Sequence, residues 1–225
     1  MLSTDPFSTR HDVTRFMEEA RKYYSHEQDI NLLVSIFKLA TFLNIVLIRN
    51  DRLNHKNFVQ GIIYDILNSL IAILNLRERY LHLNLRSMIE HIARIALDKI
   101  YKGNDFDGTV RRKDFDYLKQ ERSNENWKYM HDTYTRACDY VHSSPKANLN
   151  TTSKFIDLMR NDHVTKPSKQ IITLQKVVSA IMKIFIVYYE VEISTAFFRS
   201  QSELRYLLGP NLYKDYEISS GRVTK

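Results

Sequence analysis

The amino-acid sequence predicts an all-α protein, a single antiparallel helical bundle with an extra helix at its N-terminus. Five glycines and four prolines in 225 residues are too few for the turns of a many-stranded sheet. Apolar residues recur at helical spacing along most of the chain. Residues 58–101 form two such apolar stretches almost without a break, as expected of neighbouring helices in a bundle.

Polar and Gly-containing stretches divide this pattern into eight predicted helices. They cover about 11–24, 29–49, 58–76, 80–101, 114–121, 125–141, 153–161 and 168–208. Gly103 and Gly108 mark the clearest loop, and Gly209-Pro210 is predicted to end the last and longest helix. We therefore expect an N-terminal helix and lead-in over 1–29, one bundle over 30–208 and a loose polar tail over 209–225.

Composition excludes several classes of protein. The net charge of +7 favours a polyanionic partner such as RNA. Cys138 is the single cysteine, so the sequence encodes neither an internal disulfide nor a cysteine-rich metal site. His-Glu-x-x-His, EF-hand, Walker and G-x-G-x-x-G motifs are missing, so no metal and no cofactor is predicted. Lys38 interrupts the apolar stretch 30–48, and we expect a cytoplasmic protein that does not span a membrane.

Pairs of arginine and histidine are the remaining candidates for chemistry. A histidine can accept or donate a proton near neutral pH. An arginine can stabilise the negative charge that grows on a phosphoryl group. Together they suit cleavage of RNA without metal, because the ribose 2′-hydroxyl supplies the nucleophile.

Helical segments with four to six residues between an arginine and a histidine resemble the HEPN superfamily of helical bundles. "LRSMIEHIARIAL", a loop, "RACDYVHSS" and a last long helix follow one another in this chain as in that superfamily. The resemblance covers about residues 58–200. It implies a HEPN-like, metal-independent endoribonuclease of the toxin or phage-defence kind, acting as a homodimer. Arg136 and His142 map onto the family's catalytic pair, with a 2′,3′-cyclic phosphate and a 5′-hydroxyl as products.

Five pairs in the chain have this spacing: Arg21/His26, Arg49/His55, Arg77/His82, Arg86/His91 and Arg136/His142. The first and third of them are predicted to be solvated surface. Arg49/His55 is the alternative catalytic pair, because a polar residue follows its arginine, as in many family members, whereas an alanine follows Arg136.

The context of Arg136 and His142 supports a site. Asp139 lies between them and can orient the imidazole, and Ser143 and Ser144 add hydroxyl groups for a phosphate. Six residues on a regular helix leave the two side chains about 120° apart. The helix must therefore end or distort near Tyr140, or two protomers must build the site together.

Arg86 and Glu90 are supporting candidates at i, i+4 on the fourth predicted helix. They form either an intrahelical salt bridge or part of the same cleft. Two other functions stay open: a non-catalytic HEPN-like helical module that binds RNA or a protein partner, and a helical regulator with a nucleotide or small ligand inside the bundle. A toxin or defence protein would also bind an antitoxin or a defence partner protein.

Overall fold

A computed structural model of the protein describes residues 8–100, 108–147, 149, 154–160 and 162–221. Over these residues the chain is all-α, as predicted, with ten α-helices, one 3-10 turn at Pro145–Ala147 and no strand. The helices are α1 Ser8–Ala20, α2 Glu27–Arg49, α3 Lys56–Leu74, α4 Glu78–Ile100, α5 Arg112–Glu121, α6 Trp127–Val141, α7 Phe155–Arg160, α8 Pro167–Tyr188, α9 Glu190–Ala196 and α10 Gln201–Ser219. The predicted loop around Gly103 lies outside the described residues.

Helix α4 is central to the packing. It contacts α3 most extensively, and it also packs against α5, α6 and α8. Its apolar stripe is fully buried and consists of Leu85, Met88, Ile89, Ile92, Ala93, Ile95 and Ala96. Helices α2 and α8 complete the core, and both are apolar on more than one face because neighbours cover them on several sides.

A tight turn makes α3 and α4 adjacent. The amide of Arg77 donates to the carbonyl oxygen of Ala72 at 2.7 Å, and Leu76 takes a left-handed conformation with φ of 55°. This is the geometry with which helices commonly end, although glycine normally occupies the left-handed position. The turn also pairs with Asp162, whose amide donates to the Leu76 carbonyl oxygen at 2.9 Å.

Helix α1 is attached to the bundle rather than free. The ring of Phe16 stacks on Phe37 of α2 with 4.4 Å between centroids. The hydroxyl of Thr9 donates to Glu203 of α10 at 2.9 Å. The predicted N-terminal helix therefore covers part of α2 and contacts the C-terminal helix.

The last predicted helix, 168–208, is wrong as a single element. It divides into α8, α9 and the first part of α10, with breaks at Tyr189 and around Phe197. The ring of Tyr189 is fully buried, and its hydroxyl donates to the carbonyl oxygen of Asn54 at 3.1 Å. Tertiary contacts at Tyr189 thus accompany the interruption of a pattern that is helical in the sequence.

The polar tail predicted over 209–225 is also wrong as far as Ser219. Gly209 adopts φ of 71° and kinks α10, and the helix continues beyond Pro210. Proline is well tolerated in the first turn of a helix, where its missing N–H costs no hydrogen bond. Leu212 and Tyr216 are buried on the far side of the kink, so apolar burial holds this segment on the bundle.

Three described helices, α2, α3 and α8, are long and apolar enough to cross a membrane by length and composition. Lys38, the charge inside the first of them, places its ammonium group 3.9 Å from the centroid of the Tyr206 ring. Burial lowers the pKa of Lys38, and the neighbouring charge of Arg10 adds to that effect. Packing against α10 thus accommodates this lysine within the bundle.

Glu78, at the start of α4, holds the segment that leads into α8. Its carboxylate accepts hydrogen bonds from the amides of Val164 at 2.6 Å and Thr165 at 2.9 Å and from the hydroxyl of Tyr140 at 3.1 Å. His82 is 93% buried, with its ring stacked 3.7 Å from that of Tyr140, so the predicted solvated surface at this position is wrong.

We expect the contacts of Glu78 to make stability depend on pH. Burial alone would raise the pKa of Glu78, but hydrogen bonds from His82, Thr165 and Val164 lower it from 4.5 to about 2. A depressed carboxylate pKa stabilises the folded chain above the unfolded pKa, and this contribution is lost as the pH falls through the folded pKa.

Substituting Glu78→Gln should therefore cost roughly 2–3 kcal/mol of unfolding free energy at pH 7. The difference from the unsubstituted protein should shrink between pH 4.5 and pH 2. Urea denaturation at a series of pH values measures both. The exposed Glu18→Gln variant is the control, and an equal, pH-independent effect of the two substitutions would contradict the role of Glu78.

Candidate functional site

Arg86 and His142 meet at the surface between α4 and the end of α6. The Nη1 atom of Arg86 lies 3.5 Å from Nε2 of His142. A neutral imidazole accepts this contact from the guanidinium, at the outer limit of hydrogen-bond length. His142 is exposed and Arg86 is half-buried. Two groups that can both be cationic thus face each other where solvent reaches them, an arrangement that favours an anion between them.

The carboxylate of Glu90 fixes the other edge of Arg86. Arg86 donates from Nε to Oε1 of Glu90 at 3.1 Å, and Arg94 donates to Oε2 at 3.3 Å. The hydroxyl of Tyr134, on α6, donates to Oε1 at 2.9 Å. Because these contacts involve the Nε edge of Arg86, its Nη1 atom remains directed towards His142. The Arg86–Glu90 pair predicted at i, i+4 is therefore present and extends across to α6.

The end of α6 places His142 beside Arg86. The helix is regular to Val141, and the amide of His142 still donates to the carbonyl oxygen of Cys138 at 2.9 Å. Ser143 then takes φ of 54°, and the amide of Ser144 closes the end by donating to the Asp139 carbonyl oxygen at 2.8 Å. A non-glycine residue in the left-handed region stores strain, a feature that concentrates at functional sites.

Arg136 lies on another side of α6. Tyr134 and Cys138 both neighbour Arg86, and Arg136, two residues from each, projects about 160° away from them on a regular helix. Its side chain is exposed. The helix ends at Val141, one residue after Tyr140, in agreement with the prediction, but the arginine that meets His142 within one chain is Arg86.

The backbone carbonyl oxygen of Asp139 accepts the hydrogen bond that closes the end of α6. In the part of the chain that the structure describes, the His142 ring contacts Arg86 rather than the Asp139 carboxylate. The predicted orienting role of Asp139 is not visible in these hydrogen bonds. Ser143, by contrast, accepts a contact of 3.3 Å from Nη2 of Arg79 through its hydroxyl.

The side chains of the alternative pair, Arg49 and His55, contact different partners. Arg49 donates to the carbonyl oxygen of Ala196 at 2.9 Å and thereby links α2 to the end of α9. His55 lies between Asp98, at 2.6 Å from Nε2, and the hydroxyl of Tyr189, at 3.0 Å from Nδ1. Each side chain thus connects different helices, and these contacts do not bring the two together.

A groove begins directly beside His142. We call it the α4–α7 groove, and its volume is about 1090 Å³. Its polar lining includes Arg79, Ser143 and Ser144. Its apolar lining consists of Tyr80, Leu83, Val141, Pro145, Leu149, Phe155, Leu158 and Met159. A polar end next to a titratable residue and an apolar body are the usual composition of a ligand site.

Arg77 positions the α7 wall of this groove. Its guanidinium donates to the backbone carbonyl oxygens of Leu158 and Met159, the latter at 2.8 Å. None of the residues of α7 is buried. The wall is thus held through its backbone, while its apolar side chains remain accessible.

A second polar cluster lies on the α3 side of α4. Asp65 is buried, and its Oδ2 atom lies 3.8 Å from Nε2 of His91. Burial raises the pKa of Asp65 to about 6, the hydrogen bond from Ser87 opposes this, and the charge of Glu90 adds to it. Burial also lowers the pKa of His91, helped by the neighbouring Arg94. Both pKa shifts favour the neutral form of the group, so burial opposes ionisation of this close pair.

Within the described part of the chain, no group of three or more His, Cys, Asp or Glu side chains could hold a metal ion. Comparison with protein-family models gives no match, and neither does comparison with curated proteins or with solved structures.

Arg79 is the site residue that the sequence reasoning missed. It precedes Arg86 by seven residues, and this spacing returns a helix to within about 20° of the same face. The face defined by Arg86, Glu90 and Arg94 can therefore be extended backwards to Arg79 from the sequence alone. The proximity of His142 cannot, because it joins residues 56 positions apart.

Substitution of Gly61 tests how the imidazole of His91, in the second polar cluster, is packed. A Cβ atom at this position would lie 2.4 Å from Nε2 of His91. Gly61→Ala would ordinarily stabilise a helix by about 1 kcal/mol, but here we expect a loss of roughly 1–3 kcal/mol because the imidazole must move.

In a His91→Ala background the obstruction is gone, so Gly61→Ala should stabilise the protein instead. Urea denaturation of the four proteins of this cycle measures the coupling between the two positions. Stabilisation by Gly61→Ala in both backgrounds would show that the imidazole does not pack against Gly61.

Proposed function

We propose that this protein is a metal-independent endoribonuclease whose catalytic pair is Arg86 and His142. One observation carries the proposal: an arginine and an exposed histidine lie 3.5 Å apart, and Val141 and Ser143, the chain neighbours of that histidine, line a groove of about 1090 Å³. The chemistry requires only these two groups in addition to the substrate's own 2′-hydroxyl. The net charge of +7 supports an RNA substrate, since it attracts polyanions.

In the proposed reaction, the 2′-oxygen attacks phosphorus and the bond between phosphorus and the 5′-oxygen breaks. Solvent takes the proton of the 2′-hydroxyl, and protonated His142 gives its proton to the departing 5′-oxygen. Arg86 exchanges its long contact with His142 for the non-bridging oxygens, where charge accumulates. The products are a 2′,3′-cyclic phosphate and a 5′-hydroxyl.

The resemblance to HEPN ribonucleases is a second argument for this function, but it implies a different catalytic arginine. A HEPN-like bundle would use Arg136 with His142, assembled across a homodimer. Within one chain the geometry favours Arg86, since it already contacts His142. In either form the proposal is a cytoplasmic enzyme of the toxin or phage-defence kind, with an antitoxin or a defence partner protein to restrain it.

A non-catalytic helical module that binds RNA or a protein partner is the second candidate. One observation favours it. Arg86 belongs to an ion-pair network with Glu90 and Arg94, and such a network also explains the arginine as a structural residue that joins α4 to α6.

Cleavage of total RNA in the presence of EDTA distinguishes these functions. His142→Ala and Arg86→Lys should each lower the rate at least about 100-fold, because a proton donor and a fork-shaped anion clamp are lost. Arg136→Ala and His55→Gln should cleave at nearly the unsubstituted rate. Mass spectrometry of the products should show the cyclic phosphate, and thermal unfolding should show that all variants fold.

Loss of cleavage in Arg136→Ala with retention in Arg86→Lys would transfer the arginine's role to Arg136. Loss only in His55→Gln would transfer the site to the alternative pair. Equal cleavage by all four variants would refute an Arg/His site at any of these positions, and no cleavage by the unsubstituted protein would favour the binding module.

An exposed apolar stripe on α3 supports the homodimer. Tyr64 is 68% exposed, Ile71 is 56% exposed, and Leu67 lies between them at helical spacing. Tyr80 and Leu83 line the α4–α7 groove, and they also line a neighbouring pocket that contains Tyr64 and Ile71 of this stripe. The stripe and the groove are therefore adjacent. Two copies that pair through α3 would cover the stripe and place two catalytic pairs in one assembly.

Ile71→Asp should convert such a dimer into a monomer, because a charge cannot be buried unpaired at an interface. Light scattering coupled to size-exclusion chromatography measures the mass. Ile172→Asp, at an exposed position of α8, is the matched control. A monomeric mass for the unsubstituted protein would refute the dimer.

A further inference from the structure

The α4–α7 groove has a property that cleavage by Arg86 and His142 does not require. Its polar lining consists of Arg77, Arg79, Asp162 and the two serines, and the rest of its lining is apolar. Phe155 is 72% exposed and Tyr80 is 61% exposed. Phenylalanine is among the residues most often fully buried, whereas here a phenylalanine and a tyrosine, one on each wall, are accessible in one groove.

The position of the groove limits what can occupy it. Val141 and Ser143, on both sides of His142 in the chain, are part of its lining. Arg79 and Arg86 lie on one face of α4, about 10 Å apart along the helix axis. A phosphate held between Arg86 and His142 therefore brings the adjoining nucleotide to Arg79 and the open end of the groove.

Charge and apolar surface together favour one kind of ligand. The guanidinium groups of Arg79, in the groove, and of Arg86, on the same face of α4, suit a phosphate. The aromatic walls suit a flat ring that can stack on them. A nucleotide offers both a phosphate and such a ring. A base inside a duplex cannot leave its stack without losing pairing energy, whereas an unpaired base is free to enter.

We infer that the α4–α7 groove binds an unpaired base adjacent to the cleaved phosphate, with Tyr80 and Phe155 as its stacking surfaces. The substrate is then single-stranded RNA, or an unpaired loop or bulge, and duplex RNA binds more weakly. This inference rests on the proposed function for the position of the phosphate. It adds the substrate class and two positioning residues.

Binding measured without cleavage tests the groove separately from catalysis. The protein is the His142→Ala variant, and the probe is a fluorescein-labelled RNA strand of about ten nucleotides. Binding of this strand is compared with binding of the same sugar-phosphate backbone without bases and of the corresponding RNA duplex. Fluorescence anisotropy should show that the intact strand binds at least about fivefold more tightly than either, because each stacked base contributes affinity.

Substitution of the two aromatic residues identifies the surface involved. Tyr80→Ala and Phe155→Ala should each weaken binding of the intact strand at least about fivefold and leave binding of the base-free strand unchanged. Tyr23→Ala removes another exposed tyrosine, beyond the end of α1, and should bind like its parent. All three side chains are exposed, so their removal should leave thermal unfolding unchanged.

Three outcomes overturn the inference: equal binding of the intact and base-free strands, equal effects of Tyr80→Ala and Tyr23→Ala, or no RNA binding at all. A change of molecular mass in Phe155→Ala would also overturn it, by showing that the groove is a protein interface. Cleavage by the unsubstituted protein together with base-independent binding would support the proposed function and refute base binding in the groove. Base-dependent binding without cleavage by the unsubstituted protein would support base binding in the groove and refute the proposed function.

Discussion

The candidate site depends on the hydrogen bonds that the carboxylate of Glu90 accepts. This carboxylate is half-buried on the central helix and accepts hydrogen bonds from Arg86, Arg94 and Tyr134. A charge in this position requires partners, and losing one of several typically costs a few kcal/mol. Arg94 in turn donates to the carbonyl oxygen of Gly108 at 2.8 Å. One carboxylate thus holds together α4, α6 and, through Arg94, the chain that leads into α5, and it sets the direction of Arg86.

Much of the fold is readable from the sequence because burial leaves a helical period. Helix α6 was predicted at 125–141 and lies at Trp127–Val141, and α2 differs from its prediction by two residues at its start. Helix α6 has one dominant buried face, α2 is buried on several sides, and polar residues flank both. The same reasoning finds the stripe of Arg86, Glu90 and Arg94, since charges at i, i+4, i+8 on an apolar helix need partners.

The elements that the sequence did not predict depend on contacts between distant residues. The break at Tyr189 accompanies its hydrogen bond with Asn54, 135 residues earlier in the chain, and no local pattern signals it. Leu76 and Ser143 adopt left-handed conformations that usually call for glycine, so these two helix ends lack their normal marker. In the candidate site, His142 and Arg86 are both candidates from the sequence, but the contact between them depends on how α4 and α6 pack.

Arg77 holds α7 by the backbone carbonyl oxygens of Leu158 and Met159, and every side chain of that helix remains outside the core. Attachment of this wall therefore does not depend on which side chains it carries. Substitutions along α7 can change the size and polarity of the groove at little cost in stability, since exposed positions tolerate replacement. Among descendants of this chain, what the groove accepts is free to diverge while the Arg86–Glu90 framework beside it stays the same.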